Sequence, residues 1–400
     1  MTRLLFRGGS VFDATDAPQA SADVVVEDGR ILEVGTGLDG DQAIDCTGLH
    51  LLPGLFDSHV HVMLSHIDMW RLVQTPFSYR FFEAAGNLAA TLRAGITTVR
   101  DAGGADLGIK QAVEDGLIDG PRMQISLKML SQTGGHGDGW MASGGTLALF
   151  PSYPGMPETI VDGVEEMRRK VRELIRDGAD VIKVATSGGV LSPRDEPTHA
   201  HFRLAELEVL VEEATAAGIG VMAHAQATVG IKNAIQAGIR SIDHGIYLDD
   251  QAIEMMLERG TFLVPTLVAP TGVLRAAEAG AQIPETSLAK AREVIEVHRD
   301  SFNRAVQAGV KIAMGTDTGV TPHGENLAEL TLMVEGGMTP HRALVATTRT
   351  AAELMGLDKE LGTLEPGKRA DLVVVDGDPF EVAELPERIT QVWKDGHRVV

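Results

Sequence analysis

Two hydrophobic rhythms divide the chain. Over the first fifty residues, LLFRGGSVFD, ADVVVEDGRILEVG and QAIDCTGLHLLPG are short β-rich runs broken by Gly and Asp, which predicts brief β-strands. Asp28-Gly29 is a two-residue hairpin signal, and Asp395-Gly396 repeats it among the last forty residues, where GTLEPGKRADLVVVDGDPF and ITQVWKDGHRVV again read as strands. Two β-rich ends around a long middle predict that the termini pair into one sheet unit, since chain ends commonly lie near each other at a surface.

In the middle, short apolar runs alternate with amphipathic helices. Strands are expected at 55–61, 97–101, 123–130, 181–185, 221–224, 241–244, 262–268 and 311–315. Between them VDGVEEMRRKVRELIRDGA, RLAELEVLVEEATAAG and AREVIEVHRDSFNRAVQAG space Leu, Val and Ala at three and four residues, and several such helices close on a Gly that opens the next apolar run. Eight strands, each followed by a helix or long loop over roughly 300 residues, is the period of a (β/α)8 TIM barrel. A doubly wound open sheet competes, but the first strand lacks a following GxGxxG. The expected class is therefore α/β: a barrel over 55–358, with a small β-sandwich domain formed by both termini, 1–54 and 359–400.

Composition narrows the partners. The 400 residues are 44% hydrophobic and 23% charged, enough to bury a large core, and 35 Lys and Arg against 56 Asp and Glu leave a formal net charge of -21. That sign opposes binding to nucleic acid or anionic lipid, so neither nucleic acid nor membrane is expected as a partner. No secretory h-region and no run of about 18 apolar residues is present, and a cytoplasmic protein is expected. The single cysteine, Cys46, rules out an internal disulfide and a multi-Cys metal site, leaving His, carboxylate or something less usual for any metal.

Chemistry in a barrel gathers at the C-terminal strand ends. There GLFDSHVHVML carries Asp57, His59 and His61 on alternate positions, so period-2 geometry points all three side chains one way. Later strands end DVIKVATSGG with Lys183, MAHAQ with His224, SIDHGIY with His244 and AMGTDTG with Asp317. A single strand histidine is more often a hydrogen-bonded core residue than a ligand, Lys183 could snorkel or pair, and Asp317 could cap a helix. Four His, one Lys and one Asp at the ends of five strands make coincidence the poorer explanation.

The order HxH, Lys, His, His, Asp, together with LLPGLFDSHVH, GITTVRD, AHAQ, DHG, GTDTG and LGTLEPGKRADLVVVDGDPF, strongly resembles the amidohydrolase superfamily in its binuclear form with a carboxylated lysine, over nearly the whole chain. The resemblance implies two divalent metal ions, zinc before cobalt or manganese given four imidazoles. It implies that His59 and His61 hold one metal with Asp317, that His224 and His244 hold the second, and that a carboxylated Lys183 bridges both. Asp317 would then serve as general base and return the proton to the leaving amine. Asp57 has two readings, an orienting partner for a ligand and a strand-end cap.

The TGGHG and DHGIYLD segments resemble those of the prolidase-like branch, whose members cleave Xaa-Pro, Xaa-Arg or other dipeptides and N-acyl amino acids, and in one case ochratoxin. By that resemblance His136 and Tyr247 are the candidates to hold a substrate α-carboxylate. The long polar loop SGGVLSPRDEPTHAHFR could close over the substrate and bring Arg203, His199 or His201 to it. Apolar VPTLVAPTGV favours a hydrophobic or imino-acid moiety. The expected protein is thus a metal-dependent hydrolase of small molecules, dipeptides or N-acyl amino acids, and a homo-oligomer like its relatives. Two other readings remain: a scaffold that has lost its ligands, opposed by the filled positions, and a cyclic-amide hydrolase or deaminase on the same barrel.

Overall fold

The computed structural model describes residues 2–15, 19–192 and 194–400. Strands β1 (Leu4–Val11), β2 (Ala20–Glu27), β3 (Arg30–Gly35), β4 (Gln42–Asp45) and β5 (Leu49–Pro53) open the chain. Among the described residues seven strands follow through the middle: β6 (Leu55–Val60), β7 (Ile96–Asp101), β8 (Arg122–Ile125), β9 (Val181–Ala185), β10 (Gly220–Ala225), β11 (Ser241–His244) and β12 (Phe262–Val264). The last three are β13 (Leu372–Asp376), β14 (Ile389–Lys394) and β15 (His397–Arg398).

Strands from the two ends do share one mixed sheet, ordered β15-β14-β13-β5-β1-β2-β3 with β4 against β1. Both Asp-Gly turns form: Asp28 and Gly29 have φ of 50° and 74°, Asp395 and Gly396 of 50° and 73°, the paired left-handed conformations that match strand twist. The sheet buries its own apolar cluster around Phe6, Val24, Ile31, Leu51, Leu372 and Trp393, with Cys46 as a small buried filler. Gly54 turns the chain from this sheet into the next. A Cβ there would lie 2.2 Å from the Thr97 hydroxyl and 2.8 Å from Asp371 Cβ, so only glycine fits the crossing.

The middle strands are all parallel. They form a three-stranded sheet, β6-β7-β8, and a four-stranded sheet, β12-β11-β10-β9. Isolated parallel bridges join their neighbours: Leu130 to Val184, Leu263 to Ile312, and Val60 to Thr318. The helices that separate them pack by their apolar faces, as Val164–Arg176 does through Met167, Val171 and Leu174. Left-handed glycines at 238, 260, 309 and 356 close four of the helices. Among the described residues no helix is long and apolar enough to cross a membrane.

Three expected strands are shorter or less regular. Residues 311–315 make a single bridge at Ile312 because their amides and carbonyls are divided among Leu263, Ala346 and Ser58. The run 262–268 leaves the sheet at Val264, since Thr266 turns to φ 53° and a helix begins at Val268. The run 123–130 breaks at Leu127, φ 63°, and rejoins a neighbour only at Leu130.

Candidate active site

The ends of β6, β9, β10 and β11 and the segment after residue 311 converge on one cavity lined by His59, His61, Lys183, His224, His244 and Asp317. His59, Lys183, His224 and His244 are no more than 5% exposed. The Nε2 atoms of His61 and His59 stand 3.2 and 3.4 Å from Asp317 Oδ1. The rings of His59 and His244 are 5.1 Å apart, and those of His224 and His244 are 4.6 Å apart. His59, His244 and Asp317 offer ligand atoms that all lie within 4.8 Å of one another, a grouping that could hold a metal ion.

Each imidazole is fixed by its other nitrogen. Nδ1 of His59 donates to Asp243 Oδ2 at 2.8 Å and Nδ1 of His61 to the Gly103 carbonyl at 2.7 Å. Nδ1 of His244 bonds the Thr266 hydroxyl at 2.7 Å, whereas in His224 it is Nε2 that donates to the Gly188 carbonyl at 3.0 Å. These bonds leave Nε2 of His59, His61 and His244 and Nδ1 of His224 as the free ligand atoms. Burial, aided by neighbouring charges, holds the His224 and His244 imidazoles well below their ordinary range, in the neutral form that carries a lone pair. Burial likewise lowers the Lys183 ammonium, against the pull of Asp243 at 3.2 Å, toward the amine that can react with carbon dioxide. Although burial opposes its charge, His59 and His61 keep the Asp317 carboxyl well below the usual carboxylate range. This donor set, four imidazoles of which His224 and His244 are held neutral, with a carboxylate and a buried lysine, fits divalent cations.

Backbone strain accompanies the site. His244 and Asp317 have φ of 73° and 60°, uncommon for non-glycine residues, and they sit where strand ends deliver the cluster. In an extended strand Asp243 and His244 would face opposite ways. The left-handed turn at His244 lets both take part, Asp243 toward His59 and Lys183, His244 toward His59 and His224.

Residues 50–399 match the model of the amidohydrolase family. The chain belongs to that family. This amidohydrolase is 38% identical over 363 residues to an ochratoxinase of Aspergillus niger, an alignment covering 86% of the chain and 75% of the relative. Among solved structures it resembles a Xaa-Pro dipeptidase with methionine bound in its active site, at 33% identity, TM-score 0.90 and 99% coverage of both chains. It also resembles a prolidase complexed with N-methylphosphonate-L-proline, at 37% identity and TM-score 0.91, covering 100% of this chain and 99% of the other. It is a member of the prolidase-like branch and a hydrolytic enzyme acting on amide bonds.

The outer candidates of the amidohydrolase divide. His136 lines the cavity and stacks on His224 with ring centroids 4.1 Å apart, its Nδ1 bonded to the Ser192 hydroxyl at 2.7 Å. Tyr247 is half-buried and does not line the cavity, and burial and the nearby charge of Glu293 on the helix Glu285–Ala308 push its hydroxyl up. Arg203 is exposed at the start of the helix Leu204–Ala216, away from the cavity, and His199 is exposed as well. His201 is buried, and burial pushes its imidazole down to about 4, so it brings no positive charge at neutral pH.

Asp57 takes the capping role. Oδ1 accepts from the His59 and Thr316 amides, both at 3.1 Å, and Oδ2 from the Thr316 hydroxyl at 2.6 Å and Asn326 at 2.8 Å. It ties β6 to the segment carrying Asp317, while Asp243 orients the His59 ring. Asp243, Gly103, Gly188 and Thr266 escaped the sequence reading. Only Asp243 left a signal there, as the residue before His244 in DHG.

Proposed function

We propose that this chain is a binuclear metal-dependent hydrolase that cleaves dipeptides or N-acyl amino acids bearing a free C-terminal carboxylate. What carries the reading is the convergence of six donor side chains with His136 stacked on one of them. His59, His61, His224, His244, Asp317 and a carboxylated Lys183 would hold two divalent cations, zinc first among the candidates. When bound, such cations supply Lewis acidity to the amide carbonyl and acidity to water.

The protein's own groups do the rest. Asp317 takes a proton from the attacking water and returns it to the leaving amine nitrogen. His136, with Nδ1–H given to Ser192, would meet the substrate carboxylate as the imidazolium, donating Nε2–H to it. Leu64, Phe150, Val190, Ile246, Val273 and Val320 offer an apolar wall to the acyl or side-chain moiety and exclude water from the reacting bond.

The same reading takes residues 55–358 as a closed (β/α)8 barrel, supported by the bridges between its two parallel sheets, and residues 1–54 with 359–400 as a β-sandwich unit, supported by their shared sheet. The test is metal analysis of protein purified with zinc and bicarbonate, joined to a screen of Xaa-Pro, Xaa-Arg, Xaa-hydrophobic and N-acyl amino acids. Two metals per chain, with cleavage confined to free carboxylates, are expected. One metal or none, or turnover only of cyclic amides, would overturn the proposal.

A further inference from the structure

The loop after β9 is fastened from beneath by a buried lysine. Lys290, on the helix Glu285–Ala308 and 7% exposed, donates to the carbonyls of Gly189 at 2.8 Å, Ser192 at 2.6 Å and Asp195 at 2.9 Å. All three hydrogens of the ammonium are spent on one short stretch of backbone, and the Asp195 carboxylate lies 3.6 Å away. A buried ammonium is costly to desolvate and is retained here only with full satisfaction, which concentrates rigidity on that stretch.

What the loop does with that rigidity is seen at its upper surface. Gly189 packs flat beneath the His136 ring, where a Cβ would come within 2.2 Å of Cε1. Ser192 accepts from His136 Nδ1 at 2.7 Å while donating to Asp195. Asp195 itself lies 3.5 Å from Nδ1, and the Gly189 amide donates to it at 3.2 Å. Burial opposes its charge, yet His136, Ser192 and Lys290 keep Asp195 ionised. The described residues 188–192 and 195 thus form a cradle that sets both the plane and the Nδ1 partner of His136.

We propose that Lys290 is a positioning residue for substrate-carboxylate recognition, holding the Gly189–Ser192–Asp195 cradle that aims His136 into the cavity. The inference rests on the carboxylate role assigned to His136 above. It makes the carboxylate subsite preformed, in place of a lid that closes with substrate.

The test compares N-benzoyl-L-phenylalanine with its methyl ester, following benzoate release by the zinc-loaded enzyme. The ratio of kcat/KM for acid over ester reads recognition of the carboxylate, and a general loss of stability would lower both substrates together. In the parent the ratio is expected to favour the acid by about tenfold or more, the worth of one charge-assisted hydrogen bond. His136→Ala and Lys290→Met should each collapse that ratio through a raised KM for the acid, and Ser192→Ala should lower it partly. Lys290→Gln replaces Lys290→Met if the latter fails to fold. If His136→Ala collapses the ratio and the Lys290 variant keeps it, the role of Lys290 is overturned and the carboxylate reading stands. If the parent shows no preference, or His136→Ala retains it, the carboxylate reading falls and the Lys290 proposal with it.

Discussion

Asp243 Oδ2 lies 2.8 Å from Nδ1 of His59, and neither side chain is more than 2% exposed. The same carboxylate faces Lys183 at 3.2 Å and Arg100 at 3.4 Å, so one buried anion sets a ring orientation and meets two basic side chains. Burial disfavours its charge, but Lys183, Arg100 and His59 hold its carboxyl far below the usual range. Asp243→Asn is expected to weaken metal affinity by about 10–100-fold, read by competition with a chelator. It should also destabilise the fold by about 3 kcal/mol, through the uncompensated charges left behind. Unchanged metal affinity would remove Asp243 from the site.

Lys183→Met separates activity from stability. The side chain is 1% exposed and, among the described residues, hydrogen-bonds only Asp243, so an apolar chain of similar length removes a buried polar group while Arg100 and His59 still face Asp243. Initial rates on the best substrate should fall by about a hundredfold or more. Calorimetry should find the unfolding midpoint within about 5 °C of the parent. A variant that retains its rate would exclude Lys183 from the chemistry.

Phe150 stacks against His61 with ring centroids 5.4 Å apart and an interplanar angle of 27°. It stands on the apolar side of the cavity, so truncating it removes contact area from an aromatic acyl group and little from an acetyl group. Phe150→Ala should raise KM for N-benzoyl substrates by about tenfold and shift N-acetyl substrates much less. Equal shifts for both series would place the acyl group elsewhere.

At the junction between the terminal sheet and the first parallel strand, Gly54 has no room for a side chain. Gly54→Ala pushes into Thr97 and Asp371, both of them buried, and is expected to cost about 2–3 kcal/mol in urea unfolding. A loss below about 0.5 kcal/mol would show that the crossing relaxes freely.

Glu329 offers a pH signature from a buried carboxyl that is not among the candidate metal ligands. Burial pushes its carboxyl from 4.5 up to about 8, although it accepts from the Leu267 and Val268 amides. The folded chain then keeps a proton that the unfolded chain has released between those two values, so this contribution is complete below about 4.5 and is lost as pH rises through about 8. Stability of the parent relative to Glu329→Gln should therefore decline from pH 5 to pH 9, by about 2 kcal/mol or more. A difference that stays flat with pH would contradict a protonated Glu329.

The period-2 run at His59 and His61, the apolar strand around Lys183 and the two Asp-Gly turns were legible in the sequence because each depends on near neighbours: strand alternation, local hydrophobicity and two consecutive left-handed residues. The sharing of one sheet by both termini could be expected from composition, but its register, with β13 between β14 and β5, joins residues more than three hundred positions apart. The eighth strand and the surroundings of the imidazoles were not legible. Whether residues 311–315 form a ladder depends on who accepts their amides, and the answer came from Leu263 and Ala346. Arg203 and Tyr247 carry suitable chemistry, yet the first is exposed at the start of its helix and the second does not line the cavity. Asp243 shows the converse, a residue that strict alternation would turn away from the neighbouring ligand until the left-handed backbone at His244 brings both to the site. Residue types and local periodicity determined which donors this chain carries. Only the folded backbone, through long-range hydrogen bonds and strained dihedrals, decided which of them meet and which nitrogen each presents.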